Sequence, residues 1–197
     1  MNQSFIILAS ASPRRARLLQ QLGVSFIQEA ARIDESVRPG ESPEEHVARL
    51  SIAKCKKVIT VRDDCTILGS DTVVVADNEI LGKPQDQQDH ARMLRSLSAR
   101  THRVCTGVTL MSRSASQTEV NISEVTMRSI SAQEISRYWH TGEPCDKAGG
   151  YAIQGFGAAF ISHIAGSYSG IMGLPVFETA QMLESFGHSV WNSEVSL

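Results

Sequence analysis

The run Ile67-Leu68-Gly69-Ser70-Asp71-Thr72-Val73-Val74-Val75 is the strongest strand signal in the chain. Its aliphatic and β-branched residues suit the interior of a sheet, and Asp77-Asn78 just beyond it is typical of a tight hairpin turn into Ile80-Leu81. The carboxylate of Asp71 interrupts this run. Because an unpaired buried carboxylate is costly, Asp71 is expected to meet a cation, a metal ion or hydrogen-bond donors. We favour a functional role, and a structural aspartate satisfied by nearby N–H groups is the alternative.

Strand and helix signals alternate on both sides of this run. Strands are predicted at Phe5–Ala9, Val24–Ile27, Ile67–Ala76, Ile80–Leu81, Arg103–Met111, Glu119–Met127 and Ala158–Ile164. Helices are predicted to begin at Ser12-Pro13, at the capping boxes Ser42–Glu45 and Ser131–Glu134, ahead of Ala91, and at Pro175. The alternation predicts a single α/β domain over residues 1–197, and the hairpin favours a mixed sheet over a purely parallel one.

Composition narrows the classes of function. The chain has 197 residues, 42% apolar and 20% charged, with a formal net charge of -2. This apolar content excludes overall disorder, and near-neutral charge argues against nucleic-acid or membrane-surface binding. No apolar run approaches the roughly 20 residues of a bilayer span, and the apolar start lacks the preceding basic residues of a signal peptide. Four cysteines without C-x-x-C spacing indicate reduced thiols, so a cytoplasmic protein is predicted.

Two arginines, Arg14 and Arg15, fall in the first turn of the helix predicted after Ser12. That end of a helix carries partial positive charge and free N–H groups, so acidic residues are preferred there. A strand, a small-residue loop and a helix N-terminus together form an anion pocket, and phosphate is its usual guest. We favour phosphate binding over a solvated pair of surface arginines.

Lys54 is the next exception to a local pattern. It lies on the helix predicted from Ser42 to about Val58, within the apolar stripe that Val47 and Leu50 define at 100° per residue. An ammonium directed into a cleft explains this position, and a snorkelling lysine at the edge of the stripe explains it equally well.

Other polar residues are informative only as a set. Lys83 follows a predicted strand, and the acidic pair Asp34-Glu35 suits Mg²⁺ that keeps several waters, although surface charge is the default interpretation of each. A glycine-rich segment runs from Gly149 to Gly157 without the spacing of a dinucleotide-binding loop. Several cations, two or three carboxylates and this segment together suit a nucleotide polyphosphate, a divalent metal ion and hydrolysis by an activated water.

At these residues the sequence resembles the Maf family of nucleoside triphosphate pyrophosphatases. The matching segments occur in family order over nearly the whole chain: Leu8–Arg15, Arg49-Leu50 with Lys54, Gly69–Thr72, Gly82–Pro84, Asp146–Tyr151, Gly166–Tyr168 and Gly173–Pro175. The resemblance implies an inosine-triphosphatase-like α/β fold, a mixed sheet flanked by helices with two lobes around a central cleft, and a homodimer.

The resemblance also implies the reaction, which splits a nucleoside triphosphate into a monophosphate and pyrophosphate. Asp71 would be the general base for the attacking water, and Glu35 with Asp71 would hold the divalent cation, Mg²⁺ or Mn²⁺. The triphosphate would be bound by Ser10, Arg14, Arg15, Lys54 and Lys83.

Within the family, the segment Tyr151–Gly155 is similar to the branch that acts on dTTP and UTP. Thr72 and Gln154, together with Arg14, match positions associated with substrate choice, and a glutamine amide complements a uracil or thymine edge. The alternatives are the branch that acts on 7-methyl-GTP and a nucleotide-binding regulator of septum formation without turnover. The leading prediction is a metal-dependent dTTP/UTP pyrophosphatase.

Overall fold

The computed structural model describes residues 5–59 and 65–191. Within them the strands are β1 (Phe5–Leu8), β2 (Phe26–Gln28), β3 (Cys65–Ala76), β4 (Glu79–Leu81), β5 (Thr101–Met111), β6 (Ser116–Met127) and β7 (Ile161–Ala165). The helices are α1 (Pro13–Gln20), α2 (Pro43–Ile59), α3 (Gln87–Leu97), α4 (Ala132–Trp139), α5 (Tyr168–Met172) and α6 (Val176–Ser185). Short 3-10 turns lie at Glu143–Asp146, Ala148–Gly150 and Phe156–Phe160.

The strands form a mixed sheet in the order β2-β1-β3-β5-β6-β7, with β4 also paired to β3. Strand β1 runs parallel to β2 and β3, whereas β4 is antiparallel to β3 and β7 is antiparallel to β6. Asp77 and Asn78 both have positive φ, as a tight hairpin turn of the type I′ class requires. The predicted α/β class, the mixed sheet and the hairpin are confirmed.

The chain divides into two compact units. The first comprises Met1–Asp71, Thr106–Asn121 and Gly173–Leu197, and the second comprises Thr72–Cys105 and Ile122–Met172. Ile7, Cys55 and Ile67 are buried in the core of the first unit. The core of the second unit contains Leu94 and Tyr138. The prediction of one domain over 1–197 therefore stays a prediction, with this division inside it.

Helix α2 begins as the sequence predicts and packs closely on the sheet. Ser42 and Glu45 form the reciprocal capping bonds, with Ser42 Oγ 3.1 Å from the Glu45 amide and Glu45 Oε2 2.9 Å from the Ser42 amide. A Cβ at Gly69 would collide with the carbonyl oxygen of Ser51, and one at Gly107 would lie 2.5 Å from that of Val47. Two strands therefore reach the backbone of α2 only because they carry glycine there.

The last predicted strand begins later than expected. The sequence predicts a strand over Ala158–Ile164, but residues up to Phe160 form a 3-10 turn and β7 begins at Ile161. The backbone amides of Phe156 and Gly157 donate to the carboxylate of Glu143, which turns this segment away from extended conformation. Helix α5 was not predicted.

Candidate active site

A buried ion-pair cluster lies in the first unit, centred on Lys54 of α2. Its Nζ is 2.6 Å from Asp71 Oδ1 and 2.8 Å from Glu35 Oε1, and it is 3.5 Å from the carbonyl oxygen of Ser70. The Lys54 side chain is 7% exposed and that of Asp71 is 11% exposed, whereas Glu35 is about half exposed. The expectation that Asp71 meets a cation is confirmed, and Lys54 is not a snorkelling surface lysine.

The packing of α2 explains how these charges meet. Lys54 lies one turn beyond Ser51, whose carbonyl oxygen faces Gly69 on β3. Asp71 is two residues further along the same strand, so it points to the same face as Gly69. Because β3 touches α2 at Gly69, Lys54 one turn along α2 can reach the carboxylate of Asp71 two residues along β3. The apolar stripe therefore includes a lysine because its amine has a buried partner.

The loop before α1 forms the second part of the site in the same unit. The hydroxyl of Ser10 accepts from the backbone amide of Ser12 at 3.1 Å and from Nη1 of Arg15 at 3.4 Å. Ser12 caps the helix, and Nε of Arg15 donates to the carbonyl oxygen of Gly173 at 2.8 Å. Burial lowers the pKa of Arg15, and the nearby Asp71 carboxylate opposes that effect.

The first turn of α1 carries positive charge that no acidic residue of the same turn balances. The first turn of α1 contains no acidic residue, and Arg14 and Arg15 are both half-buried there. Positive charge thus accumulates where the helix dipole is already positive. Such an N-terminus suits an anion with several oxygen acceptors, as the sequence predicts.

A hydrogen-bonded clasp holds the loop that carries Glu35. Arg49 on α2 donates through Nη2 to Glu41 at 2.7 Å and to the carbonyl oxygen of Ser36 at 3.0 Å, and its Nε also donates to Glu41. His46 Nδ1 lies 3.0 Å from the same carboxylate. The hydrogen bonds from Arg49 hold the pKa of Glu41 well below its usual range, although desolvation opposes this shift.

Sequence reasoning quoted Arg49 only as part of a motif and missed Glu41. The two residues are eight apart, but Glu41 lies before α2 begins at Pro43, so the helical period does not relate them. The only sequence signal for this pairing was an acidic residue just before a predicted helix, with a basic residue two turns inside that helix. These hydrogen bonds matter for the site because Arg49 holds the backbone of Ser36, which directly follows Glu35.

Three predicted site residues belong to the second unit. Thr72 directly follows Asp71 in β3 and is half-buried. Lys83 is exposed in the loop after β4, where the carbonyl oxygen of Gly82 accepts from the amide of Gly149 at 2.9 Å. Gln154 is exposed in the loop between two 3-10 turns. The structure thus gathers Ser10, Arg15, Glu35, Lys54 and Asp71 within one unit, while Thr72, Lys83 and Gln154 lie in the other.

The donor set near Lys54 can be tested against the expected divalent cation. Among residues 5–59 and 65–191, no group of three or more His, Cys, Asp or Glu side chains is placed to hold a metal ion. Asp71 and Glu35 nevertheless supply two carboxylates that converge on one ammonium. Mg²⁺ typically takes one or two carboxylates and completes its shell with waters and substrate phosphates. The residues fit an ion that is shared with a polyphosphate.

Comparison with known families decides the classification. A family model described as Maf-like protein matches residues 5–186. The chain belongs to the Maf family. The resemblance stated from the sequence motifs is therefore confirmed over most of the chain.

Several curated relatives of the Maf family cover nearly all of this chain. A protein of Alkalilimnicola ehrlichii named dTTP/UTP pyrophosphatase is 48% identical over 187 residues, which are 92% of this chain and 92% of that protein. Proteins of the same name from Hahella chejuensis and Pseudoalteromonas translucida are 45% and 47% identical; they cover 95% and 92% of this chain and 94% and 96% of their own lengths.

Among solved structures, the Ham1 protein of Staphylococcus aureus aligns with a TM-score of 0.44 and 13% sequence identity, over 63% of this chain and 71% of that chain.

In the part of the Maf chain that the structure describes, no helix is both long and apolar enough to cross a membrane.

Proposed function

We propose that this Maf protein hydrolyses dTTP and UTP, and modified pyrimidine nucleotides, to the monophosphate and pyrophosphate. The observation that carries the proposal is the buried ion pair of Lys54 and Asp71, joined by the half-exposed Glu35, in the same unit as the cationic start of α1. Relatives that are 45–48% identical over more than nine-tenths of the chain bear the name dTTP/UTP pyrophosphatase.

Asp71 acts as the general base. Its carboxylate accepts a proton from a water molecule while the water oxygen bonds to phosphorus, and the bond between the α-phosphoryl group and its bridging oxygen breaks. Pyrophosphate leaves with the electron pair of that bond. Lys54 orients the Asp71 carboxylate through its 2.6 Å hydrogen bond to Oδ1.

Glu35 and Asp71 would hold Mg²⁺ or Mn²⁺ together with the triphosphate. When bound, such an ion neutralises phosphate charge and favours attack by water. Arg49 and Glu41 keep the Glu35 loop against α2, so that Glu35 stays within 2.8 Å of Lys54.

The remaining cations bind the triphosphate and a polar pair selects the base. Arg14, Arg15 and Lys83 neutralise and position the phosphates, and the hydroxyl of Ser10 helps to position them. Phosphoryl transfer depends on positioning and electrostatics more than on a protein nucleophile. The amide of Gln154 donates to a pyrimidine carbonyl and accepts from the imide N–H, and Thr72 contributes to the same choice. We also propose that the protein works in the cytoplasm as a homodimer.

A nucleotide panel tests the function. Pyrophosphate release is measured from dTTP, UTP, CTP, GTP, 7-methyl-GTP and 5-methyl-UTP, with Mg²⁺, with Mn²⁺ and with a chelator. Metal-dependent release from dTTP and UTP is expected. Release chiefly from 7-methyl-GTP keeps the reaction and overturns the base assignment. Binding without any release replaces the enzyme by a nucleotide-binding regulator.

A further inference from the structure

The loop that carries Gln154 is held at both ends by two side chains outside it. Tyr138 lies on α4 and is buried, and Glu143 opens the 3-10 turn that follows. The phenol of Tyr138 accepts from the amide of Ala152 at 3.0 Å and donates to Glu143 Oε1 at 2.7 Å. The start of the loop is thereby tied to α4.

Glu143 ties the far end of the same loop. Its Oε2 accepts from the amide of Phe156 at 2.9 Å, and its Oε1 accepts from the amide of Gly157 at 3.0 Å. Inside the loop, the amide of Gly155 donates to the carbonyl oxygen of Ala152 at 3.3 Å. Gln154 therefore projects, exposed, from a short turn whose amides on either side are bound to one hydrogen-bonded pair of side chains.

The chemistry of this pair suits a rigid tie. A carboxylate that accepts three hydrogen bonds, two of them from consecutive backbone amides, fixes both the distance and the direction of the backbone. A Cβ at position 155 would collide with the Glu143 carboxylate in its present place, so glycine lets the carboxylate lie against the turn. Tyr138 is itself fixed by an edge-to-face contact with Phe160 and by the capping box that starts α4.

We propose that Glu143 and Tyr138 are positioning residues that set the base selectivity of the enzyme by holding the Gln154 amide in place. This inference rests on the proposed function, in which the Gln154 amide recognises the pyrimidine base. Neither residue contacts the phosphates or the reacting atoms in this assignment. Their removal therefore changes how the base is recognised and leaves hydrolysis itself intact.

The first test is Glu143→Gln. The glutamine amide has one accepting oxygen, so at least one of the Phe156 and Gly157 amides loses its partner. We expect kcat/KM for UTP and dTTP to fall about tenfold, mainly through KM, which is the size of effect that a lost hydrogen bond to a charged group supports. The rate with ribose 5-triphosphate, which has no base, is expected to stay within about twofold of wild type because no base is read.

Further variants separate positioning from a purely structural role. Glu124→Gln removes the same charge from an exposed position of the second unit and is the matched control. Tyr138→Phe releases the start of the loop and is expected to reduce UTP use in the same way. Combining Gln154→Ala with Glu143→Gln forms a double-mutant cycle, and the double variant is expected to lose no more UTP activity than Gln154→Ala alone.

Each outcome decides for or against the inference. Additive losses in the cycle, or equal losses with UTP and ribose 5-triphosphate, overturn it, because a structural role lowers both. If the Glu143 variant unfolds, Tyr138→Phe decides by the same cycle. The wild-type assay tests the proposed function separately. If wild type binds UTP without hydrolysing it, the cycle is measured by calorimetry of UTP binding, and absence of UTP binding overturns both proposals.

Discussion

Replacing Asp71 by asparagine separates the chemical step from folding and binding. Asparagine keeps the shape of the side chain and an oxygen that accepts from Lys54, but it does not take a proton from water. General-base catalysis contributes typically about 10²–10⁴-fold, so kcat for UTP is expected to fall by at least about 100-fold. The triphosphate still meets Lys54, Arg14 and Arg15, and loses one negative neighbour. We therefore expect the Kd for UTP to stay within about tenfold of wild type.

The stability cost follows from the second carboxylate on Lys54. Leaving a buried charge without any partner costs about 3–5 kcal/mol. Glu35 Oε1 remains 2.8 Å from Nζ in Asp71→Asn, and the new amide still accepts a hydrogen bond. The expected loss in the free energy of unfolding is therefore smaller, about 1–3 kcal/mol, as for a weakened hydrogen bond to a charged group.

The assay combines pyrophosphate release, UTP calorimetry and urea unfolding on the same preparations. Asp77→Asn is the control, because it removes a carboxylate that is 62% exposed in a turn whose positive φ asparagine tolerates. Its kcat is expected to equal that of wild type. If Asp71→Asn keeps more than about a tenth of the wild-type kcat, the general-base assignment is wrong. If UTP binding is lost in step with kcat, the contribution of Asp71 comes from holding the cation and triphosphate and not from proton transfer.

Three other predictions concern packing, pH and base recognition. Gly69→Ala forces a Cβ against the Ser51 carbonyl oxygen, so the free energy of unfolding in urea should fall by about 1–3 kcal/mol. Gly82→Ala is the control, because a Cβ there meets nothing within 4 Å and should change the free energy little. Equal effects of the two variants would contradict the close approach of β3 to α2. Burial lowers the pKa of His102 to about 4 from 6.5. The wild-type protein should therefore have its full free energy of unfolding above about pH 6.5 and lose about 3 kcal/mol as the pH falls towards 4, where the buried imidazole takes up a proton. His102→Gln should flatten the plot of unfolding free energy against pH in this range, and an unchanged slope would refute the assignment. Gln154→Glu should lower kcat/KM for dTTP and UTP about tenfold by repelling the pyrimidine O4, and unchanged selectivity would exclude that contact.

Local signals in the sequence predicted most elements correctly because their causes are local. The Ser42 capping box starts α2, and Asp77-Asn78 turns the hairpin, since both depend on hydrogen bonds or φ values within a few residues. The expected strand at Ala158 failed for the opposite reason. The 3-10 turn that replaces its first residues begins at Phe156 and Gly157, whose amides are bound by Glu143. That residue is 13 and 14 positions earlier in the chain, and strand propensity contains no information about such a partner.

The candidate site shows the same division. The sequence alone singled out Asp71, Lys54 and the two arginines, because each contradicts the local preference of its strand or helix and such conflicts concentrate at functional sites. Only the tertiary structure decided that Lys54 pairs with both Asp71 and Glu35, that Arg49 holds the Glu35 loop, and that Glu143 with Tyr138 holds the Gln154 loop. These pairings join residues from different elements, so they depend on how closely α2 approaches β3 at Gly69 and on which way each loop turns. Burial makes the pairing of Lys54 with Asp71 obligatory, because an unpartnered charge inside the protein is too costly.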